Sequence, residues 1–309
     1  MADGSRHSLY WVEEGVGKVN YAKTPATPAF DTARTTGVTL GLSKDPLQSE
    51  EIRSDRQISD FRLGANQVGG DLSFELSYGT FDKILESALQ GEWTADVLKI
   101  GTTRRSFSML RHFADLDAGS DNWFLYKGIE ASTLNLNFAA NAMVTGTVSV
   151  LGSSQELSNS APTDSTFLPT TTTPAMDGFT GSILEGDSPI AVVTEATLTL
   201  ENGLGARFVV GNKDSIYPEV GTANLTGQVT AYFEDSSLVK KFIDETRSSL
   251  KITTVDALGN QYEFVFHNIV YTGGQPDVSG PGSIMLTMPF QAILDDTAGT
   301  NFTVTRTPV

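Results

Sequence analysis

Along much of this chain apolar residues recur at every second position. Leu72, Phe74 and Leu76 share one face of residues 71–77, and the same alternation returns in 133–138, 144–150, 196–200, 261–266 and 283–288. A period of two, with Thr and Ser between the apolar positions, predicts strands of sheets that are buried on one face and wetter on the other. Gly259 and Asn260, between Val255 and Tyr262, carry a hairpin-turn signal. Two segments change to helical spacing. Residues 80–89 place Phe81, Ile84, Leu85 and Ala88 on one face, with Thr80 as candidate N-cap; residues 237–245 do the same with Leu238, Phe242 and Ile243, capped by Ser236 or Ser237. Both faces read as covers for a sheet.

The placement of the helices points to an internal duplication. Each follows a strand opened by glycine. Laying Gly70 on Gly227 puts Leu72 on Val229, Leu76 on Phe233, Phe81 on Leu238, Lys83 on Lys240 and Leu85 on Phe242 without a gap. Upstream, 38–42 overlays 196–200; downstream, 144–148 meets 284–288. Three matches in the same order predict two related units. Between them lies a stretch rich in Ser, Thr and Pro, which buries little and reads as a connector. The expected organisation is an N-terminal arm (1–35), a first β repeat (36–152), a connector (153–190), a second β repeat (191–295) and a C-terminal tail (296–309).

Composition narrows the function. The 309 residues contain no cysteine, which removes disulfide frameworks, Cys-based metal sites and cysteine nucleophiles. No apolar run approaches the roughly 18 residues of a membrane span, and the polar start of the chain lacks the apolar core of a signal peptide. A soluble protein is expected, made in a reducing compartment or indifferent to redox state. With 37 acidic against 21 basic residues the formal charge is −16. Such a surface repels phosphate and anionic lipid, which argues against tight electrostatic binding of nucleic acid or membrane.

The search for chemistry nominates nothing catalytic. The histidines are His7, His112 and His267, and no HExxH or G-x-S-x-G frames a zinc site or a serine elbow. In the acidic stretch 115–121, Gly119 takes a ligand position of a calcium loop and Tyr126 stands where the closing Glu belongs. Gly203-Leu-Gly205 and 64–70 lack the context of a phosphate cradle. Asp31, Glu75 and Asp82 are carboxylates of the kind glycoside hydrolysis uses, but their separation is not a property of the sequence. No catalytic, cofactor-binding or metal-binding residue is predicted. One other segment stands out: residues 43–62 mix both charges densely around Leu47, Ile52, Ile58 and Phe61, whereas 201–224, at the matching place in the second repeat, is much less charged.

Ser49-Glu-Glu-Ile-Arg-Ser-Asp-Arg-Gln57, then Gly69-Gly-Asp-Leu-Ser-Phe-Glu-Leu-Ser-Tyr-Gly79 and its helix, resemble the tail tube (major tail) proteins of long non-contractile-tailed bacteriophages. So do the arm, with Tyr10-Trp-Val-Glu-Glu14 and Thr24-Pro-Ala-Thr-Pro-Ala-Phe30, and the stretches 144–148 and 225–235. The similarity spans nearly the whole chain and is weakest in the connector. It implies a mainly β fold: two tandem tail-tube-type β-sandwich repeats, each with one flanking α-helix, plus an extended N-terminal arm.

The implied function is that of a structural virion protein, not an enzyme, which assembles into stacked rings around an acidic conduit for the genome. The implied partners are further copies of the chain, as a ring of three with pseudo-six-fold symmetry or alternatively of six. Other tail proteins, such as a tape measure and a terminator, follow, with DNA passing through without specific binding and with no cofactor or membrane. The implied location is the virion tail, after assembly in the host cytoplasm. By position, Tyr10, Trp11 and Phe30 of the arm, and Glu50, Glu51, Arg53, Asp55, Arg56, Asp60 and Arg62 of the charged segment, are the expected contacts between rings or subunits. The competing expectation is a carbohydrate-binding or adhesin β-sandwich module, which needs an exposed aromatic platform.

Overall fold

In the computed structural model, which describes residues 3–309 except positions 118, 187, 191, 277 and 279, pairing links 19 strands into one network. The fold is mainly β, and two α-helices occur among the described residues.

In the first half, Thr35–Val38 pairs with Phe61–Glu75, which pairs with Thr145–Gly152, which pairs with the C-terminal part of Trp123–Ala139. The N-terminal part of that last strand turns into a second sheet, where it pairs with Arg105–Phe113 and Ser154–Ser158. A bulge between Ala131 and Thr133 marks the change of sheet. The second half repeats this order. Val193–Glu201, Asn224–Tyr232, Met285–Ala292 and the end of Gln261–Tyr271 are neighbours, and Gln261–Tyr271 continues between Ser248–Val255 and Phe302–Thr307.

The matching glycines do not open their strands but lie inside them, Gly70 in Phe61–Glu75 and Gly227 in Asn224–Tyr232, and they share a physical cause. A Cβ on Gly70 would lie 2.7 Å from the carbonyl oxygen of Thr39, and one on Gly227 would lie 2.5 Å from that of Thr197. Both sites need a bare backbone because the adjoining strand passes too close for any side chain.

Helix α1 (Asp82–Leu89) follows the second strand of the first half, and α2 (Ser237–Ile243) the second strand of the other. Phe81, Ile84, Leu85 and Ala88 are buried, as their spacing predicts. The caps differ from expectation. Thr80 turns its hydroxyl to Ser77 and Thr171 instead of capping α1. At α2 neither Ser236 nor Ser237 caps; the Asp235 carboxylate accepts from the Ser237 N–H at 2.7 Å. Ile243 points to solvent, and Val239 is the buried residue of this helix. The hairpin around Gly259 is present, but it is organised by Asp256, whose Oδ1 accepts from the Leu258 and Asn260 N–H groups.

Arm, connector and tail are not appendages. His7–Val16 lies along Arg105–Phe113, burying Leu9 and Trp11. Thr166–Leu168 of the connector runs parallel to Ala29–Thr32, and Ser182–Glu185 pairs with Ser248–Val255. The tail strand Phe302–Thr307 buries Phe302 and Val304 and also pairs with Val97–Lys99 of the first half.

The halves are zipped together. Trp123–Ala139 pairs with Val193–Glu201 in a regular antiparallel ladder, Leu136 opposite Leu198 and Leu134 opposite Leu200. Residues from both halves therefore belong to one hydrophobic core.

Candidate assembly and conduit surfaces

The most prominent surface feature is a hairpin. Gly41–Gln48 pairs with the first part of Phe61–Glu75, and residues 50–63 are exposed throughout. Leu47, Ile58, Phe61 and Leu63 are more than half exposed and Ile52 is fully so. A two-stranded ribbon with no face on a core is marginal by itself. Its charges pair locally. Arg53 forks onto Asp55 with Nε and Nη2 at 3.0 and 2.8 Å, and Arg62 reaches Asp60 at 3.0 Å. The fork holds the Asp55 carboxyl below its usual range and raises Arg53. Arg56 sits in a left-handed turn at φ 57, and Glu50, Glu51 and Arg56 are exposed with it. Glu51 lies 3.8 Å from Arg53. Seven of the expected contact residues are thus brought together on one projecting ribbon.

The other three are not with them. Trp11 is 2% and Phe30 0% exposed, so neither has surface left to offer a neighbour. Trp11 packs on Phe81, and Phe30 stacks with Phe167 of the connector. Tyr10, half-buried, joins Trp123 and Phe167. These aromatics fasten the arm to its own sheet, and truncating a buried ring of this kind costs about 3–5 kcal/mol. His112 stacks on Trp123 with ring centroids 3.8 Å apart. The cluster packs ring on ring, with Phe167 laid over it, instead of spreading a flat platform.

The matching hairpin of the second half, Gly205–Arg207 with Ile216–Glu219, folds back onto the first half. Asn66 donates to the Lys213 carbonyl and to Asp214 at 2.6 Å each, and Ser153 bonds the Ser215 carbonyl. Arg104 donates to the Pro218 carbonyl at 2.9 Å, lies over the Tyr217 ring at 3.9 Å and pairs with buried Glu130 at 2.8 Å. Burial pushes Glu130 up to about 7 despite Arg104. Beside it, Glu14 is saturated by Ala22, Ser106, Ser108 and Gly128. No local sequence pattern signals this junction, because its members come from segments far apart in the chain.

A third surface is the outward face of the zipped sheet. Its positions are Asp71, Ser73 and Glu75; Thr145, Thr147 and Ser149; Thr133, Asn135, Asn137 and Ala139; Glu195, Thr197, Thr199 and Glu201; Asn224, Thr226, Gln228 and Thr230; and Thr287, Pro289 and Gln291. None of these is Lys or Arg. Neighbours hydrogen-bond across the strands: Ser149 to Asp71 at 2.6 Å, Asn137 to Glu195 at 2.9 Å, Thr199 to Asn135 at 2.7 Å. The result is a flat carpet of hydroxyls and amides carrying four carboxylates.

Three of the carboxylates considered above are held within the fold. Asp31 pairs with Lys83, Asp82 is held by Tyr262 and Arg306, and Asp115 pairs with Arg6. Among the described residues, no group of three or more His, Cys, Asp or Glu side chains is arranged to hold a metal ion. No helix among them is long and apolar enough to cross a membrane.

The chain is thus mainly β, with one polar sheet face and one projecting charged ribbon. A family model described as phage tail tube protein matches residues 4–292. The chain belongs to that family and is a structural protein of the phage tail tube. No curated protein matches it.

Proposed function

We propose that the chain self-assembles into rings of three, each chain supplying two sandwich units, and that the rings stack into the tube through which the genome leaves. The observation that carries this reading is the carpet on the zipped sheet. It runs unbroken across both halves, and its ionisable groups are all acidic. A wall of this kind repels phosphate and offers no cation to trap it, so DNA slides past without specific binding. The shared strand order of the halves supports six similar units from three chains. The exposed ribbon 43–63 is the clasp between rings, with Arg53, Arg56 and Arg62 placed to exchange their local acidic partners for those of a neighbour. The tape measure and terminator act on the same tube, which is built in the host cytoplasm.

Negative-stain microscopy of purified protein tests assembly. Hollow tubes are expected, and dispersed single particles at high concentration would overturn the reading. For the conduit, virions carrying Asp71→Lys with Glu195→Lys should eject DNA severalfold more slowly, whereas unchanged ejection kinetics would overturn the assignment of this face to the bore.

A further inference from the structure

The start of the arm is held through a histidine whose bond requires the neutral ring. We infer that His7 is an acid-opened latch: its neutral imidazole fixes Arg111 and, through it, the root of the projecting ribbon, and protonation releases the start of the arm and that root together. The latch lies within one chain, so it stands or falls apart from the ring reading above.

The geometry follows from what each partner can offer. Arg111 Nε donates to His7 Nε2 at 2.9 Å. A guanidinium has N–H donors and no acceptor, so the lone pair in this bond belongs to the imidazole, and the ring proton sits on Nδ1. A second proton, on Nε2, turns the acceptor into a donor aimed at another donor. The same guanidinium donates through Nη1 to the Leu40 carbonyl at 2.6 Å and meets the Tyr126 hydroxyl. Leu40 is 1% exposed and lies between Thr35–Val38 and Gly41–Gln48, where the ribbon begins. One side chain therefore ties together the arm, the strand Arg105–Phe113 and the entry to the ribbon.

The surroundings oppose a further positive charge. On the arm Arg6 adjoins His7, and on Arg105–Phe113 the groups facing it are Arg111 and His112. The Phe113 ring lies against the imidazole, centroids 5.0 Å apart. The nearby carboxylate of Asp115 is already engaged by Arg6 at 2.9 Å and by the Asp3 N–H at 3.2 Å, and Asp3 turns its own carboxylate to the Ser5 N–H. Residue 40 brings a carbonyl and Tyr126 a hydroxyl, neither of which is a counter-charge. Burial, then the charges of Arg111 and His112, hold His7 below the usual histidine range. The folded chain thus takes up this proton at lower pH than the unfolded chain does. The latch is closed above the unfolded value, about 6.5, and loosens as pH falls below it.

Hydrogen exchange read by mass spectrometry on the full chain, at pH 8 and pH 5 and corrected for the intrinsic pH dependence of exchange, tests the latch. Peptides covering 7–10 and 39–43 should exchange about tenfold faster at pH 5, the factor carried by one unit of pKa. Residues 182–185, which pair with Ser248–Val255 in a ladder without histidine, should not change. His7→Gln keeps an acceptor oxygen in place of Nε2 but has no titrating proton, so it should remove the acid response. His7→Lys makes the charge permanent and should give the faster exchange already at pH 8. An acid response that persists in His7→Gln, or that spreads evenly over the chain, overturns the latch, as does wild-type exchange that is equal at the two pH values. Acceleration at 7–10 without any at 39–43 overturns the tie to the ribbon.

Discussion

The two hairpins at matching places in the halves have opposite fates. The ribbon at 43–63 projects into solvent with its charges paired among themselves, whereas the hairpin at 205–219 lies down on the first half, held by Asn66, Ser153 and Arg104. The same topology permits both. What differs is where the polar groups find partners: Arg53 and Arg62 meet carboxylates two residues away, while the carbonyls of Lys213, Ser215 and Pro218 meet donors on the first half. A hairpin whose hydrogen bonds close within itself is free to serve another molecule, and one whose bonds close on its own chain becomes part of the fold.

The sharpest way to break this contrast is to remove the free ribbon. Replacing residues 46–61 by a two-residue turn should abolish stacked tubes in micrographs and leave the melting temperature of the monomer nearly unchanged; a large drop in melting temperature would mean that the ribbon serves the fold. Undocking the other hairpin should do the reverse. Arg104→Ala leaves Glu130 buried without its cation, a change that costs about 3–5 kcal/mol in denaturant titrations.

A third prediction uses pH. Glu130 holds its proton up to about 7 in the folded chain, well above an unfolded glutamate near 4.3. The folded state therefore binds the extra proton between those values. Stability is fully present below the unfolded value and declines as pH rises through about 7, by roughly 3 kcal/mol in all. Glu130→Gln should flatten that slope in melts between pH 5 and 8. Smaller again, Ser153→Ala strands the carbonyl of Ser215 and costs about 1 kcal/mol by the same titration. Arg53→Ala, at the solvated tip, should not shift the melt measurably.

Much of the strand content was legible because it depends on local alternation: every stretch read from period two lies in or overlaps a strand, and the α1 face is buried as its spacing requires. The caps were less so, since Ser236, Ser237 and Asp235 are all acceptors of capping type and their order in the sequence does not say which one meets the Ser237 N–H. The tail strand carries a readable signal, Phe302 and Val304 in alternation, within the stretch 296–309 expected as a tail. Of the surface features, the exposed ribbon was legible from its charge density. Trp11 and Phe30 were not, because the same large aromatics that anchor an interface also anchor a core. The Glu130 junction depends on which distant segments meet, and no local pattern records that.

The ladder from Thr133 to Ala139 against Glu195 to Glu201 has a kinetic consequence. A joint made inside one polypeptide is formed at folding and needs no collision between molecules. In the proposed ring of three, joining the chains takes two encounters where six separate units would take five, and each one avoided spares the translational and rotational entropy of association, about 4–15 kcal/mol. On that proposal, nucleation is correspondingly less steep in concentration, and units enter or leave the circle only in pairs.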